Sequence, residues 1–163
     1  MSRTRSTARR RASVAVITST TLLFTLAQAP AAQAGSNSRW ARKLMRIVNQ
    51  TRTTHDLRPL KMQRSLNSPS RRHTNRMIDD NRLYDPPNLA QILQGYPYDD
   101  LGADVVGCGT TLRELHRIMM TEPFHRSILL NRDLRRVGIG VVRARHNNRC
   151  GRGSMWATEI MYG

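Results

Sequence analysis

Candidate chemistry in this chain is concentrated around one histidine. Glu122, Pro123 and His125 follow one another closely, and the proline is expected to end one helix just before the next begins. A carboxylate and an imidazole at this spacing could form a general acid/base pair, so Glu122 and His125 are candidate catalytic residues of a hydrolase. A strand that contains two glycines, residues 137–141, follows this segment.

The other four histidines give weaker indications. His73 lies near Met77 on an apolar helix face, a position more typical of a core histidine with one hydrogen bond than of a metal ligand. His116 is expected to be exposed, because the apolar residues of its helix would turn it outward. His55 and His146 are expected in loops. The chain contains no Gly-x-Ser-x-Gly motif, so nothing indicates a Ser/His/Asp triad.

The first 34 residues are predicted to be a secretory signal peptide. Five arginines precede an apolar stretch, residues 12–27, and Ala32-Gln33-Ala34 is a small-x-small cleavage site. A membrane anchor is the alternative, but the stretch is interrupted by hydroxyl residues and is shorter than the roughly 20 residues that a spanning helix needs. We therefore predict a signal peptide over 1–34 and one domain over 35–163, with no membrane span. The protein is expected to be secreted or held in the cell envelope.

The chain is strongly basic. Its 27 Lys and Arg residues exceed its 11 Asp and Glu residues by 16, and five of the arginines lie in the leader, so the exported part carries a charge of +11. This charge would attract cell-wall polymers, anionic lipids or nucleic acid. Because only two of these residues are Lys, an arginine-rich coding bias explains most of the excess equally well.

Four arginines gather around the tip of the last predicted hairpin and could contact an anionic surface, although a solvated loop is the simpler interpretation. No aromatic residue is interleaved with them, which argues against specific nucleic-acid recognition. We call these residues the tip arginines: Arg143, Arg145, Arg149 and Arg152.

Cys108 and Cys150 are the only two cysteines. An even number in an exported chain favours a disulfide, and two free thiols are the alternative. A bond requires their Cα atoms to lie within about 7 Å of each other. Neither cysteine has a neighbour at metal-ligand spacing.

Periodicity and turn signals predict an α+β fold in which helices cover a small sheet. Thr111 and Glu114 form a capping box that begins the third long helix. The predicted elements are a helix from Ser38 to about His55, a helix over 69–80, a loop over 83–101 with one or two helical turns, a strand over 102–106, helices from Thr111 to before Pro123 and over 124–130, and strands over 137–142 and 155–161.

Five short motifs occur in an order and spacing that, together with the leader, are typical of one family. They are the Asn-x-x-Arg helix segment 47–52, Leu60-Lys61, the pair His73 and Met77, Gly102-Ala103-Asp104, and the segment 119–130 with the strand pair after it. In this order they resemble the CAP superfamily of cysteine-rich secretory, antigen 5 and pathogenesis-related proteins, in its bacterial secreted form. The resemblance implies a three-layer α-β-α sandwich with a small antiparallel sheet.

The resemblance also implies a cleft in which two His and two Glu can hold Zn²⁺. His125 occupies the place of the second His, Asp85 that of the first His, Ala103 that of the first Glu, and Glu122 could occupy that of the second. Asp104 cannot simply replace the lost Glu, because adjacent strand residues point to opposite faces. A site of three or four ligands is therefore not predicted unless Asp85 and Glu122 close around His125, and no cofactor is expected.

These residues predict a secreted CAP-domain protein with a degenerate cleft, lined also by His73, that binds an extracellular ligand such as a lipid or cell-wall component without catalysis. The alternative is a hydrolase of cell-wall or protein substrate that uses His125 with Glu122. A third hypothesis is a general polyanion binder with a steep salt dependence. His125 is expected to be buried and to bond to Glu122 or to the backbone near Asp104.

Overall fold

The computed structural model describes residues 31–98, 101–146 and 148–163, with the side chains of residues 31–36 excepted. Most of the predicted leader, residues 1–30, therefore lies outside the described residues. No described helix is long and apolar enough to cross a membrane. The elements are α1 (Ala31–Thr53), β1 (Lys61–Met62), a 3-10 turn (Arg64–Leu66), α2 (Asn67–Asp79), α3 (Leu89–Leu93), β2 (Gly102–Gly109), α4 (Leu112–Thr121), α5 (Pro123–Leu129), β3 (Arg136–Arg143) and β4 (Met155–Tyr162).

The elements form three layers around one sheet, which confirms the predicted α-β-α sandwich. The strand order is β1-β3-β4-β2. Helices α1, α4 and α5 cover one face of the sheet, which we call the α4 face, while α2, α3 and the 3-10 turn cover the other, the α2 face. The three long strands pair in the antiparallel direction, as predicted, and one short strand at the edge of the sheet does not.

The exception is β1, a two-residue edge strand that pairs with β3 in parallel. The Lys61 backbone N–H donates to the Arg135 carbonyl at 2.9 Å. Asn49 on α1 fixes the residue before β1, because its side chain both donates to the Leu60 carbonyl (3.0 Å) and accepts from the Leu60 N–H (2.8 Å). A strand this short leaves no periodic signal in a sequence.

Helix α1 begins at Ala31, so the predicted start at Ser38 is wrong. Three alanines and a glutamine, all strong helix formers, occupy residues 31–34 and extend the helix upstream. Its buried stripe includes Leu44 and Val48, which lie one helical turn apart. The helix ends at Thr53, where Asp56 takes a positive φ of 56° and turns the chain.

Helices α4 and α5 begin and end close to the predicted positions. The Thr111 hydroxyl accepts from the Glu114 backbone N–H at 3.1 Å, while the Glu114 carboxylate accepts from the Thr110 N–H at 2.9 Å. Glu122 has extended backbone angles and separates the two helices, and Pro123 opens α5. The capping box and the proline therefore define this part of the fold.

Strand β2 continues to Gly109, whereas the sequence predicted an end near Val106. Gly107 and Gly109 do not break the strand, because both stay paired with β4. Their missing side chains make room for α4: a Cβ on Gly109 would lie 2.8 Å from the Leu115 backbone nitrogen. The glycines thus bring a helix close to the sheet.

The glycine pair of β3 has the same role on the α2 face. A Cβ on Gly138 would overlap Leu66, and one on Gly140 would overlap the backbone of α2. Hydroxyl groups of α2 use this close approach. Ser70 Oγ lies 3.1 Å from the Gly138 carbonyl, and Thr74 Oγ1 lies 3.1 Å from the Gly140 carbonyl.

Cys108 and Cys150 form a disulfide, which confirms the predicted bond. Their Cα atoms lie 6.2 Å apart and their separation along the chain is 42 residues. The bond joins β2 to the connection between β3 and β4, which carries three of the tip arginines, Arg145, Arg149 and Arg152.

Candidate functional site

Adjacent residues of β2 place the candidate cleft positions on opposite faces of the sheet. Ala103 packs against the apolar cluster between the sheet and helices α1 and α4. Asp104 is registered with Ile160, whose side chain belongs to the α2 face. The side chain of Asp104 therefore does not take the place of a carboxylate at Ala103.

Asp85 lies beside Asp104 rather than beside His125. Burial, the neighbouring charge of Asp85 and a hydrogen bond between the two side chains together raise the pKa of Asp104 to about 7, and burial is the largest of these causes. One oxygen of Asp104, Oδ2, is buried without a hydrogen-bond partner. The structure thus assembles a pair of acids on the α2 face, which sequence reasoning missed because it compared Asp85 only with the cleft positions.

His73 holds the chain segment that leads to Asp85. It is fully buried, and its Nε2–H donates to the Tyr84 carbonyl at 2.7 Å. The Tyr84 ring meets the imidazole edge-on, with a centroid distance of 4.9 Å. Burial lowers the pKa of His73, so the ring is neutral at pH 7. His73 therefore positions the 84–85 segment from within the core.

His125 lies in the first turn of α5 and is half-buried, which differs from the buried position expected. No hydrogen bond joins its ring to any of the residues that the structure describes. Helix α5 is attached to the core through Leu129 near its C-terminal end. Its first turn stays open to solvent, where the neighbouring Phe124 is 70 % exposed.

Glu122 is exposed, and its carboxylate makes no hydrogen bond or ion pair with another described residue. The backbone of Glu122 does form a hydrogen bond, because its carbonyl accepts from the Arg126 N–H at 2.9 Å. Within residues 31–98, 101–146 and 148–163, no three His, Cys, Asp or Glu side chains come together in a way that could hold a metal ion. The cleft candidates Asp85, Glu122 and His125 are not assembled into one centre.

His116 is buried, only 5 % exposed, so the prediction that it lies on the surface is wrong. The helical spacing places His116 one turn after Leu112, at the edge of the apolar stripe, and α1 packs along this edge. His116 Nε2 lies 2.7 Å from Thr51 Oγ1 on α1, and its Nδ1 has no partner. Burial lowers the pKa of His116, which keeps the ring neutral.

Glu159 is a buried carboxyl that sequence reasoning missed. It lies on β4 between Val105 and Ile139, and neither carboxyl oxygen has a partner. Full burial raises the pKa of Glu159 to about 8, so the group is mainly protonated at neutral pH. No sequence signal pointed to it, because a strand whose residues are all buried does not show polar and apolar alternation.

Arg52, the arginine of the Asn-x-x-Arg segment, is fully buried and joins three parts of the fold. Its guanidinium donates to the carbonyls of Leu129 (2.8 Å), Asn131 (3.0 Å) and Arg58 (3.0 Å). These bonds connect α1 to Leu129 at the end of α5, to Asn131 after that helix, and to Arg58 in the segment that follows α1. The motif therefore has a structural role.

Comparison with protein families agrees with this architecture. The model of the cysteine-rich secretory protein family, CAP, matches residues 45–159. A comparison with curated proteins gives no match.

Three solved structures have a similar fold at low sequence identity. An extracellular protein containing an SCP domain from Bacillus anthracis has a TM-score of 0.62 and 17% identity over 83% of this chain and 44% of its own. A cysteine-rich secretory protein from Staphylococcus aureus has a TM-score of 0.59 and 20% identity over 82% of this chain and 40% of its own. An outer surface protein from Borrelia burgdorferi has a TM-score of 0.61 and 11% identity over 78% of this chain and 96% of its own. The chain thus spans less than half of the first two proteins and nearly all of the third.

Proposed function

Since the chain belongs to the CAP family of cysteine-rich secretory proteins, we propose that it is exported and acts outside the cell as a non-catalytic binding module. The predicted leader and the Cys108–Cys150 disulfide support export, because such bonds persist in oxidising compartments. Similar folds occur in proteins described as extracellular or as an outer surface protein. Those descriptions apply to the relatives and here only support the proposal.

The arrangement around β2 carries the non-catalytic part of the proposal. Ala103 offers no carboxylate on the α4 face, and Asp85 lies beside Asp104 instead of near His125. General acid/base catalysis needs a base within hydrogen-bond reach of its proton, directly or through one water, and an oriented partner. The His125 ring has no hydrogen-bond partner among the described residues that would orient it, and its ring contact is with the exposed Phe124 at a centroid distance of 6.3 Å.

A hydrolase that uses His125 with Glu122 is the alternative. Both residues belong to the same exposed turn, and a bound substrate would have to draw the Glu122 carboxylate toward the ring. Nothing in the described contacts holds the carboxylate near that position. The observation therefore favours binding over hydrolysis.

The tip arginines are the surface that we assign to the partner, an anionic polymer or lipid of the cell envelope. The tip is anchored at two adjacent residues: the Arg149 N–H donates to Asn81 Oδ1 at 2.8 Å, and Cys150 is bonded to Cys108. Arg143 and Arg152 are exposed, and the first donates to the Gly153 carbonyl at 3.0 Å. An anchored cluster of guanidinium groups suits a repeating anionic surface, since little chain entropy is lost on contact.

Co-sedimentation with purified cell walls, and with vesicles that contain phosphatidylglycerol, tests this proposal. We expect saturable binding that weakens as salt is raised and that is reduced in the double variant Arg149→Gln and Arg152→Gln. The variant Arg113→Gln and Arg117→Gln removes the same charge from α4 and should bind nearly as the wild type does. Equal loss in both variants would mean that only net charge matters, and release of soluble fragments from the walls would favour the hydrolase.

A further inference from the structure

An open groove of about 480 Å³ runs between α1 and α4. Its α1 wall is formed by residues one turn apart, Ile47, Thr51 and Thr54. Its α4 wall presents Arg113, His116 and Arg117, with Met120 at the end. None of the cleft positions His125, Glu122, Asp85 and Ala103 lines it. The volume is within the range of small-molecule sites.

The groove carries concentrated positive charge and no negative charge among its lining residues. Arg113 and Arg117 are four residues apart on α4, so their side chains leave the same face of the helix. Both are exposed, and neither makes an ion pair with a carboxylate in the part of the chain that the structure describes. The nearby Glu114 carboxylate accepts from the N–H and hydroxyl of Thr110, and Arg117 interacts with it electrostatically without forming an ion pair.

A third guanidinium, that of Arg126, is held at the mouth of the groove by a defined chain of hydrogen bonds. His55 Nδ1 lies 2.9 Å from the Thr51 carbonyl, so this nitrogen is the donor. In the neutral ring, Nε2 then accepts from Arg126 Nη2 at 3.3 Å. The remaining guanidinium N–H groups of Arg126 are left for a ligand.

We propose that this groove binds a small soluble organic phosphate, with the phosphate group held by Arg113, Arg117 and Arg126. This site goes beyond the binding of an anionic surface by the tip arginines and does not depend on it. A phosphate group has three or more acceptor oxygens and up to two charges, which matches three planar donors better than a carboxylate does. Inorganic phosphate would fill only a small part of the volume, so the ligand includes an organic part.

The organic part contacts the walls between the arginines. Ile47 and Met120 offer apolar surface, while the hydroxyl group of Thr51 is already within 2.7 Å of His116 Nε2. Gln50 and Thr54 are exposed at the rim and can bond to hydroxyl groups. A sugar phosphate combines these properties and is the probe that we choose.

Isothermal titration of the folded protein with glucose 6-phosphate tests the site, with glucose as the neutral control. We expect one saturable site for the phosphate and none for glucose. The variant Arg113→Gln and Arg117→Gln should weaken binding by about tenfold or more, because two charge-assisted hydrogen-bond donors are removed. The charge-matched variant Arg72→Gln and Arg76→Gln, whose residues are also four apart on a helix but lie on the opposite side of the sheet, should bind as the wild type does. All four arginines are exposed, so both variants should keep the wild-type melting temperature.

Three results would overturn the proposal. The first is the absence of saturable binding of glucose 6-phosphate. Binding to vesicles that contain phosphatidic acid, without binding of glucose 6-phosphate, counts as this result. The second is equal weakening in the two double variants, which would mean a response to net charge. The third is binding of glucose as tight as that of its phosphate.

Discussion

The carboxyl group of Asp85 lies beside that of Asp104, on the face of β2 opposite to Ala103. Asp85 is therefore engaged by a second acid on the α2 face, while His125 belongs to α5 on the α4 face. The resemblance placed Asp85 at the position of a cleft histidine, but the Asp85 carboxyl group is directed to Asp104 instead. This relationship supports the proposal that the cleft is degenerate.

Replacing Glu159 by Gln should raise stability at pH 8 and change its pH dependence. The pKa of Glu159 is about 8 in the folded protein and about 4.5 when unfolded, so the folded state holds an extra proton between these values. Wild-type stability therefore falls as pH rises from about 4.5 to about 8, by an amount on the order of a few kcal/mol. Urea unfolding of the two proteins at pH 5 and pH 8 measures the effect.

Asp104→Asn is the matched control for Glu159→Gln, because Asp104 also has a raised pKa, about 7. The gain in the free energy of unfolding from Asp104→Asn, relative to the wild type, should reach its full value near pH 7 and should not increase further at pH 8. A difference between wild type and Glu159→Gln that is the same at pH 5 and pH 8 would disprove the buried, protonated state of Glu159.

Replacing Arg52 by Leu should lower the free energy of unfolding by about 2–4 kcal/mol, because the carbonyls of Leu129, Asn131 and Arg58 lose their donor in the core. Arg52→Lys should be intermediate, since an ammonium group lacks the planar fork that reaches all three. Arg46→Leu, on the exposed side of the same helix, is the control and should change stability by less than about 0.5 kcal/mol. Similar values for Arg52→Leu and Arg46→Leu would show that the hydrogen bonds of Arg52 contribute little.

Removing the disulfide by Cys108→Ser and Cys150→Ser should lower stability by roughly 3–4 kcal/mol in the chain-entropy model for a loop of 42 residues. Reduction of the wild type should give a comparable loss, which unfolding with and without dithiothreitol measures. The account of this bond would be wrong if the native exported protein titrated two free thiols.

The cleft should bind Zn²⁺ weakly or not at all at neutral pH. The reason is that no three ligand-type side chains converge among the described residues, and a tight site needs at least three. Calorimetric titration of the wild type and of His125→Ala should give the same weak response. A stoichiometric submicromolar site that His125→Ala abolishes would require a metal centre at α5.

The fold could be predicted from the sequence wherever a local sequence signal agreed with the tertiary packing of the same segment. The capping box at Thr111, the proline at 123 and the apolar stripe through Leu44 and Val48 each specified an element that the structure contains. Strand β1 could not be predicted, because only pairing with β3 defines its two residues. The end of β2 was predicted too early, near Val106, because the close packing of Gly107 and Gly109 with α4 is visible only in three dimensions.

The site was less predictable than the fold. Alternation along β2 correctly separated Ala103 from Asp104, but the contact between Asp85 and Asp104 depends on a loop path that no sequence pattern specifies. His116 lies at the edge of an apolar stripe, where the neighbouring helix decides whether the residue is buried. Contacts between distant segments decide both cases.

The His125→Ala variant should be nearly as stable as the wild type, within about 1 kcal/mol, because the half-buried ring has no hydrogen-bond partner among the described residues to leave unpaired. This expected loss of stability is smaller than the loss for the buried, hydrogen-bonded imidazole that the sequence predicted. Thermal unfolding of the variant measures this change in stability. Because the variant should stay folded, any loss of activity in it can be attributed to the missing imidazole.

The most direct test of the central claim is the release of soluble fragments from dye-labelled peptidoglycan and from labelled casein, measured in parallel for the wild type, His125→Ala and Glu122→Gln. The account predicts that the wild type releases no more than the buffer control and that the two variants do not differ from it. Release by the wild type that His125→Ala abolishes, while the melting temperature is unchanged, would contradict the binding-module account and identify the protein as a hydrolase.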